Sequence, residues 1–144
     1  MIRDLKKDNF ITFRQARDLD DIGFGMKTIG AYFVFNLKVS ENIATSAISG
    51  YNNRDGAIVK EFMGEEEYYF SAPLYQEVFE WFIDKKLENY IYPHNNKYFA
   101  TIIYDSKVLL NEEFETYKIA KERLVDKLIL EYKKLTNTIM NLHN

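Results

Sequence analysis

Ser71-Ala72-Pro73-Leu74-Tyr75-Gln76-Glu77-Val78-Phe79-Glu80-Trp81-Phe82-Ile83 opens the stretch, ending at Leu135, whose reading decides the fold. Pro73 suits a helix entrance, where a missing amide hydrogen does no harm. Tyr75, Val78, Phe79, Phe82 and Ile83 then recur at helical spacing to about Lys86. Trp81 lies beside that stripe, so the apolar face is broad; core packing is its ordinary role, with ligand stacking as the alternative. Three strand-like runs follow, Asn89–Tyr92, Tyr98–Tyr104 and Lys107–Leu110. Pro93-His94-Asn95-Asn96 and Asp105-Ser106 supply the turns between them. Both faces of the middle run carry apolar groups, which predicts a central strand covered on both sides. Thr116 is placed to cap a last helix, whose stripe runs Tyr117, Ala120, Leu124, Leu128, Tyr132, Leu135, Ile139 and Leu142. The result is an α-β-β-β-α unit able to bury an antiparallel sheet under two helices.

Working outward toward the N-terminus, residues 1–10 read as a loosely held lead-in. Thr12 and Gln15 form a T-x-x-Q capping box, and Gly23-Phe24 a glycine ending, for a helix over Phe13–Ile22. Asp18, Asp20 and Asp21 fan around that helix and read as a solvated face, with no second element spaced to complete a metal site. Residues 27–39 alternate as one strand. Ala44–Tyr51 and Ala57–Phe62 flank the turn-formers Asn52-Asn53-Arg54-Asp55-Gly56 as a hairpin, and Gly64-Glu65-Glu66-Glu67 is a polar link before a short strand at Tyr68-Tyr69-Phe70. The fold class expected is α+β, one domain over residues 1–144, with residues 136–144 as a fraying helix end.

Composition narrows the function classes. The chain of 144 residues has eleven Tyr, eleven Phe and one Trp, and no cysteine, which removes disulfides, thiolate nucleophiles and Cys-based zinc sites. No apolar run approaches the ~20 residues of a membrane span, and the start lacks a signal-peptide core, so a cytoplasmic placement without membrane contact is expected. A formal charge of −3 argues against wholesale nucleic-acid binding. Gly23 and Gly25 follow a helix and lack a third glycine, so they are no dinucleotide fingerprint.

Three pieces together are similar to a family of small uncharacterised proteins encoded by phages, prophages and mobile elements of gut bacteria. They are Ile11-Thr12-Phe13 through Ile22-Gly23-Phe24, the Ser71–Phe82 segment with Tyr90-Ile91-Tyr92, and Phe114-Glu115-Thr116-Tyr117. In that family a Thr commonly follows the Ala-Pro; here the position is Leu74, so Glu77 lacks its capping partner. The resemblance covers about half the chain on structural motifs, implies an accessory protein located in the host cytoplasm if phage-encoded, and supplies no catalytic residues.

No set of residues meets the requirements of an active site. His143 sits in the terminal tail and His94 in a turn, no Ser has a G-x-S-x-G context, and no pair among the many carboxylates stands out by spacing. The expectation is a non-enzymatic protein, without cofactor or metal, that binds another protein, including interference with host defence as its use. The alternative is a nucleotide- or nucleic-acid-binding module in which Tyr90, Tyr92, Tyr98 and Tyr104 line one sheet face and Lys118 and Lys121 meet phosphates. Double-stranded-RNA-binding domains share the α-β-β-β-α order and read RNA through basic residues opening the last helix. Here Lys118, Lys121, Arg123 and Lys127 are offset by Glu122 and Asp126, and no Gly-Pro-x-His loop precedes them, so nucleic acid is the disfavoured partner. The last helix outruns the strands beneath it. Leu135, Ile139 and Leu142 continue its seam, while Ile119 and Leu130 point outward, which predicts a homodimer through this helix. A tail that bends back or frays is the other outcome.

Overall fold

A computed structural model describes the backbone of residues 7–26, 28, 30–35, 38–39, 44–45, 58–62 and 65–142, with side chains over 8–26, 28, 30–32 and 72–137. The fold is α+β, built as two compact units, Met1–Leu74 and Tyr75–Asn144.

In the first unit, Lys7–Asn9 form a 3-10 turn, and buried Phe10 bridges Leu74. Helix α1 spans Phe13–Asp21. Thr12 Oγ1 accepts the Gln15 amide at 3.2 Å while Gln15 Oε1 accepts the Thr12 amide at 3.1 Å, the reciprocal box expected from the sequence. At the other end Gly23 takes φ 90°, its amide donates to the Asp20 carbonyl, and the Phe24 amide donates to Leu19. This is the Schellman pattern, with Phe24 and Leu19 both buried. Tyr32 reaches back from the sheet, donating to the Ile11 carbonyl at 2.8 Å and meeting the Phe13 ring edge-on at 5.7 Å.

The strands of this unit are β1 (Gly30–Phe35), β2 (Lys38–Val39), β3 (Ala44–Thr45), β4 (Ile58–Phe62) and β5 (Glu65–Ala72). Their sheet runs β2-β1-β5-β4, with β3 also on β1. Two expectations are corrected here. The single strand over 27–39 is two strands, with Val34 opposite Val39. Ala44 and Thr45 pair with β1, and β4 pairs with β5; residues 46–57 of the expected Ala44–Tyr51/Ala57–Phe62 hairpin, including its turn, lie outside the described residues. Glu65, Glu66 and Glu67 are not a link but the first half of β5, paired to β4. Ladder pairing with β4, and at Glu67 with β1 as well, outweighs the weak strand preference of glutamate, a preference that yields to context.

The second unit is the expected α-β-β-β-α: α2 (Tyr75–Asp84), β6 (Glu88–His94), β7 (Lys97–Tyr104), β8 (Lys107–Phe114) and α3 (Tyr117–Leu142). Its sheet is antiparallel in the order β6-β7-β8. Both hairpins use two-residue turns with positive φ at both positions, 52° and 62° at Asn95-Asn96, 50° and 63° at Asp105-Ser106. These are type I′ turns, whose twist matches that of the strands. The first turn is therefore tighter than the four-residue signal: Pro93 and His94 belong to β6, with His94 opposite Lys97. β8 also runs four residues past Leu110, because Asn111–Phe114 continue the ladder along Thr101–Tyr98.

Both helices lie on one face of this sheet. Tyr98, Ala100 and Ile102 alternate onto it, opposite Pro93, Ile91 and Asn89. There Tyr98 meets the α3 ring of Tyr117 at 5.8 Å, and Asn89 Nδ2 donates to the α2 carbonyl of Phe79 at 3.1 Å. Val78, Phe82, Ala100, Ile102, Leu124 and Leu128 are fully buried between the layers. Trp81 is core, 9% exposed, against Phe82 and Tyr132 at 5.0 and 5.5 Å. α2 ends on a second Schellman pattern, Leu87 to Phe82 and Lys86 to Ile83, with Lys86 at φ 71° where glycine is usual. Thr116 caps α3, accepting the Ile119 amide at 3.1 Å. The buried band of α3 differs from the expected stripe: Val125 and Ile129 join it, and Tyr117 is 48% exposed. A helix lying on a sheet buries two adjacent rows, wider than a coiled-coil seam. The middle strand is central, but the helices cover only one of its faces.

Candidate functional site

The face of the second sheet turned away from α2 and α3 carries an aromatic strip. Period-two alternation puts Tyr90, Tyr92 and His94 of β6 on it, together with Phe99, Thr101 and Ile103 of β7. The tight Asn95-Asn96 turn fixes the register, so that Tyr92 stands opposite Phe99. Their rings are stacked, 5.4 Å apart and 11° from parallel. Tyr90 adjoins Tyr92 at 6.0 Å, and His94 meets Phe99 edge-on at 5.9 Å. Tyr90 is 48% exposed, Tyr92 36%, and Val108, across from Ile103, 63%. Thr101 beneath them is buried and donates to Asn111 Oδ1 on β8 at 3.2 Å.

The charges bordering the strip are mainly acidic. Lys97 shares the face and bonds Glu113 at 2.9 Å and Glu115 at 3.3 Å. The hydrogen bond to Glu113, then that to Glu115, raises the Lys97 pKa, so the ammonium is committed to its carboxylates. Glu88 is exposed at the opposite end, across from Ile103. Amphipathic rings on a pleated surface, pinned at two χ angles, lose little entropy on binding and offer both π faces and hydroxyls.

The four tyrosines expected on one face are divided between two. Tyr98 lies on the helix side against Tyr117, and Tyr104 borders a separate hollow with Ile83, Lys86 and Glu88. Lys121 is also on the helix side, its Nζ 4.6 Å above the Tyr75 ring and 5.5 Å from that of Tyr117, and Lys118 is exposed on the same helix turn. Strip and lysines therefore do not form one phosphate-and-base site, because the sheet stands between them. Phe99 and Val108, which sequence reasoning did not single out, complete the strip together with His94, expected as a turn residue and found at the end of β6. Alternation along β7 puts Phe99 on the face opposite Tyr98, but nothing in the local pattern says which face the helices leave uncovered.

On α3, Ile119 and Leu130 are 41% and 45% exposed, and eleven residues at 3.6 per turn bring them close to one line. Leu135 is half-buried. Ile139 and Leu142 are helical, and their side chains lie outside the described residues. Asp18 pairs with Arg14 at 3.5 Å, and no group of three His, Asp or Glu side chains among the described residues is placed to hold a metal ion. No helix among them is long and apolar enough to cross a membrane.

No protein-family model matches the chain, and neither a curated protein nor a solved structure matches it.

Proposed function

We propose that this chain is a non-enzymatic accessory protein that acts by binding another protein through the Tyr90-Tyr92-Phe99 face. The observation that carries this reading is the exposed, mutually stacked aromatic strip on a sheet face that no helix of its unit covers. Aromatic residues clustered at the centre of a patch, with charged residues at its rim, are the composition of protein-binding surfaces. A nucleotide or nucleic acid could stack on the same rings, but its phosphates would meet Glu113 and Glu115, with Lys97 already engaged by both. The likeness of the Ile11–Phe24, Ser71–Phe82 and Phe114–Tyr117 segments to phage and mobile-element proteins suggests interference with a host protein in the cytoplasm as the setting.

The test compares the wild-type chain with Tyr92→Ala/Phe99→Ala in capture from a lysate of the expressing cell, at matched melting temperature. The reading expects proteins held by the wild type and lost by the variant, with little dependence on salt. Identical capture by both chains, or retention that collapses steeply with salt as polyanion binding does, counts against it. A thermal-shift panel of linear and cyclic nucleotides checks the second class, since ligand at 100 times its dissociation constant adds ~2.7 kcal/mol.

A further inference from the structure

Two strands end the second sheet, and they are protected unequally against further pairing. β8 meets β7 through a bulge at Leu109, where Ile102 faces Leu110 and Ile103 faces Val108, and it carries the exposed Glu112 and Glu113. Bulges and charged side chains are ordinary protections of an edge strand. β6 instead keeps an unbroken register from Glu88 opposite Ile103 to His94 opposite Lys97.

The tight Asn95-Asn96 turn decides which way the β6 backbone points. The pair flanking a two-residue hairpin turn exchanges both ladder bonds, and bonding alternates from there. His94, Tyr92, Tyr90 and Glu88 therefore bond β7, while the backbones of Pro93, Ile91 and Asn89 face outward. Pro93 agrees with this, since a residue lacking its N–H fits a strand where that group would face away from the ladder. The N–H and C=O groups of Asn89 and Ile91 have no protein partner among the described residues. They form a row of two donors and two acceptors about 6.8 Å apart, at 3.4 Å per residue.

A backbone row of this kind is complemented by another extended strand. Tyr90 and Ile83 beside it are 48% and 45% exposed, so the edge is open to solvent. α2 stands over it, the Phe79 carbonyl bonded to Asn89, and a shallow cleft of about 240 Å³ runs between Gln76, Phe79 and Ile83 of α2 and Asn89, Tyr90 and Ile91 of β6. A second copy pairing antiparallel through its own β6 would bring its α2 over the adjacent strand, about 4.8 Å away. Packed helices stand about 8–10 Å apart. The incoming strand is therefore an extended segment with no helix above it. Charge narrows it further. Glu80 and Asp84 follow Gln76 at four-residue spacing along α2, and Glu88 opens β6; these three exposed carboxylates face Lys86, while Lys85 lies over the Trp81 ring at 5.0 Å. Tyr90 belongs both to this edge and to the aromatic strip, so a segment laid here continues from the docking face.

The geometry points to strand addition: the outer edge of β6 takes up an extended segment of the partner protein, paired to Asn89 and Ile91 and carrying lysine or arginine. This rests on the protein-binding reading above and names how that partner is held.

The experiment follows amide exchange and NMR shifts of the full ¹⁵N-labelled chain with the peptide acetyl-Lys-Val-Thr-Val-Lys-amide, and with the same peptide bearing Glu in place of Lys. Without peptide, the Asn89 and Ile91 amides should exchange faster than those of Tyr90 and Tyr92. With the basic peptide at ten times its dissociation constant, their exchange should slow by about tenfold, because they exchange only from the free fraction. The acidic peptide should bind about tenfold more weakly or worse, as like charges oppose it. Ile91→Pro removes the outward donor and leaves the bonds to β7, so it should abolish the protection at Asn89; if that variant melts early, the wild-type exchange pattern and the acidic control decide. No saturable protection in the millimolar range, equal binding of the two peptides, or protection on β8 in place of β6 overturns the inference. So does protection of Asn89 and Ile91 already present without peptide and lost on dilution, which assigns the edge to a second copy. If the peptide fails while the Tyr92→Ala/Phe99→Ala comparison succeeds, strand addition falls and the docking reading stands. If the peptide protects the edge but both chains capture the same proteins, the edge stands as a peptide site and the reading of the aromatic face falls.

Discussion

Replacing Asn89 probes the join between α2 and β6. Its amide ties the Phe79 carbonyl of the helix to the Leu87 carbonyl at the strand entrance, at 3.1 and 3.0 Å, from a side chain only 9% exposed. Asn89→Leu keeps the volume and removes both donors. Phe79 retains its helical acceptor role toward Ile83, within α2, but the carbonyl of fully buried Leu87 loses this bond. One buried carbonyl left unsatisfied costs about 1–3 kcal/mol, and the apolar gain of leucine offsets part of it, so the expected loss is about 2 kcal/mol. At ~4 °C per kcal/mol that is ~8 °C in melting temperature, measurable by calorimetry. Asn89→Asp sharpens the test, because it sets a carboxylate against two carbonyl oxygens. Its folded pKa is then raised above the unfolded value, so the variant is least destabilised below the unfolded pKa and loses stability as pH rises through the folded one. The gap to wild type should widen between about pH 4 and pH 7 for Asp and stay constant for Leu. An Asn89→Leu protein melting at or above the wild-type temperature, or an Asp variant with no pH-dependent gap, would refute the role given to this amide.

Lys86→Gly should raise stability by about 0.5–1 kcal/mol, since Lys86 holds φ 71° at the α2 cap; an unchanged or lower denaturation midpoint would contradict that geometry. Thr12→Ala should cost ~1 kcal/mol by loss of the capping box, and Gly23→Ala a similar amount at φ 90°, both read from urea midpoints. Burial first, then Asp21, raises the Asp20 pKa from 3.8. Its protonated form favours the fold, a contribution present below the unfolded pKa and lost as pH rises through the folded one. Asp20→Asn should therefore melt higher than wild type near pH 7 and show no advantage at about pH 3. For the dimer proposed through α3, light scattering should give twice the monomer mass at tens of micromolar and the monomer mass for a chain ending at Lys134; a monomer in both cases removes it.

Where a local signal was complete in the sequence, the structure follows it. Thr12-x-x-Gln15 and Gly23-Phe24 each carry every group their caps require within a few residues, so α1 was legible to within a residue. The α-β-β-β-α order was legible too, because helix-period and strand-period runs alternate there between clear turns. What failed were decisions taken far along the chain. β4 pairs with β5, opened by Glu65, Glu66 and Glu67, because pairing is settled by which strands meet, and a glutamate run can complete a ladder that its own propensity would not begin. The end of α2 at Lys86 was blurred because a lysine occupies the left-handed position that glycine would have announced. The division of Tyr90 and Tyr92 from Tyr98 and Tyr104 follows from hairpin register, and the choice of uncovered face from where α2 and α3 settle. Alternation along a strand sorts side chains into two sets; only packing determines which set meets water, and so the site itself belonged to the tertiary structure.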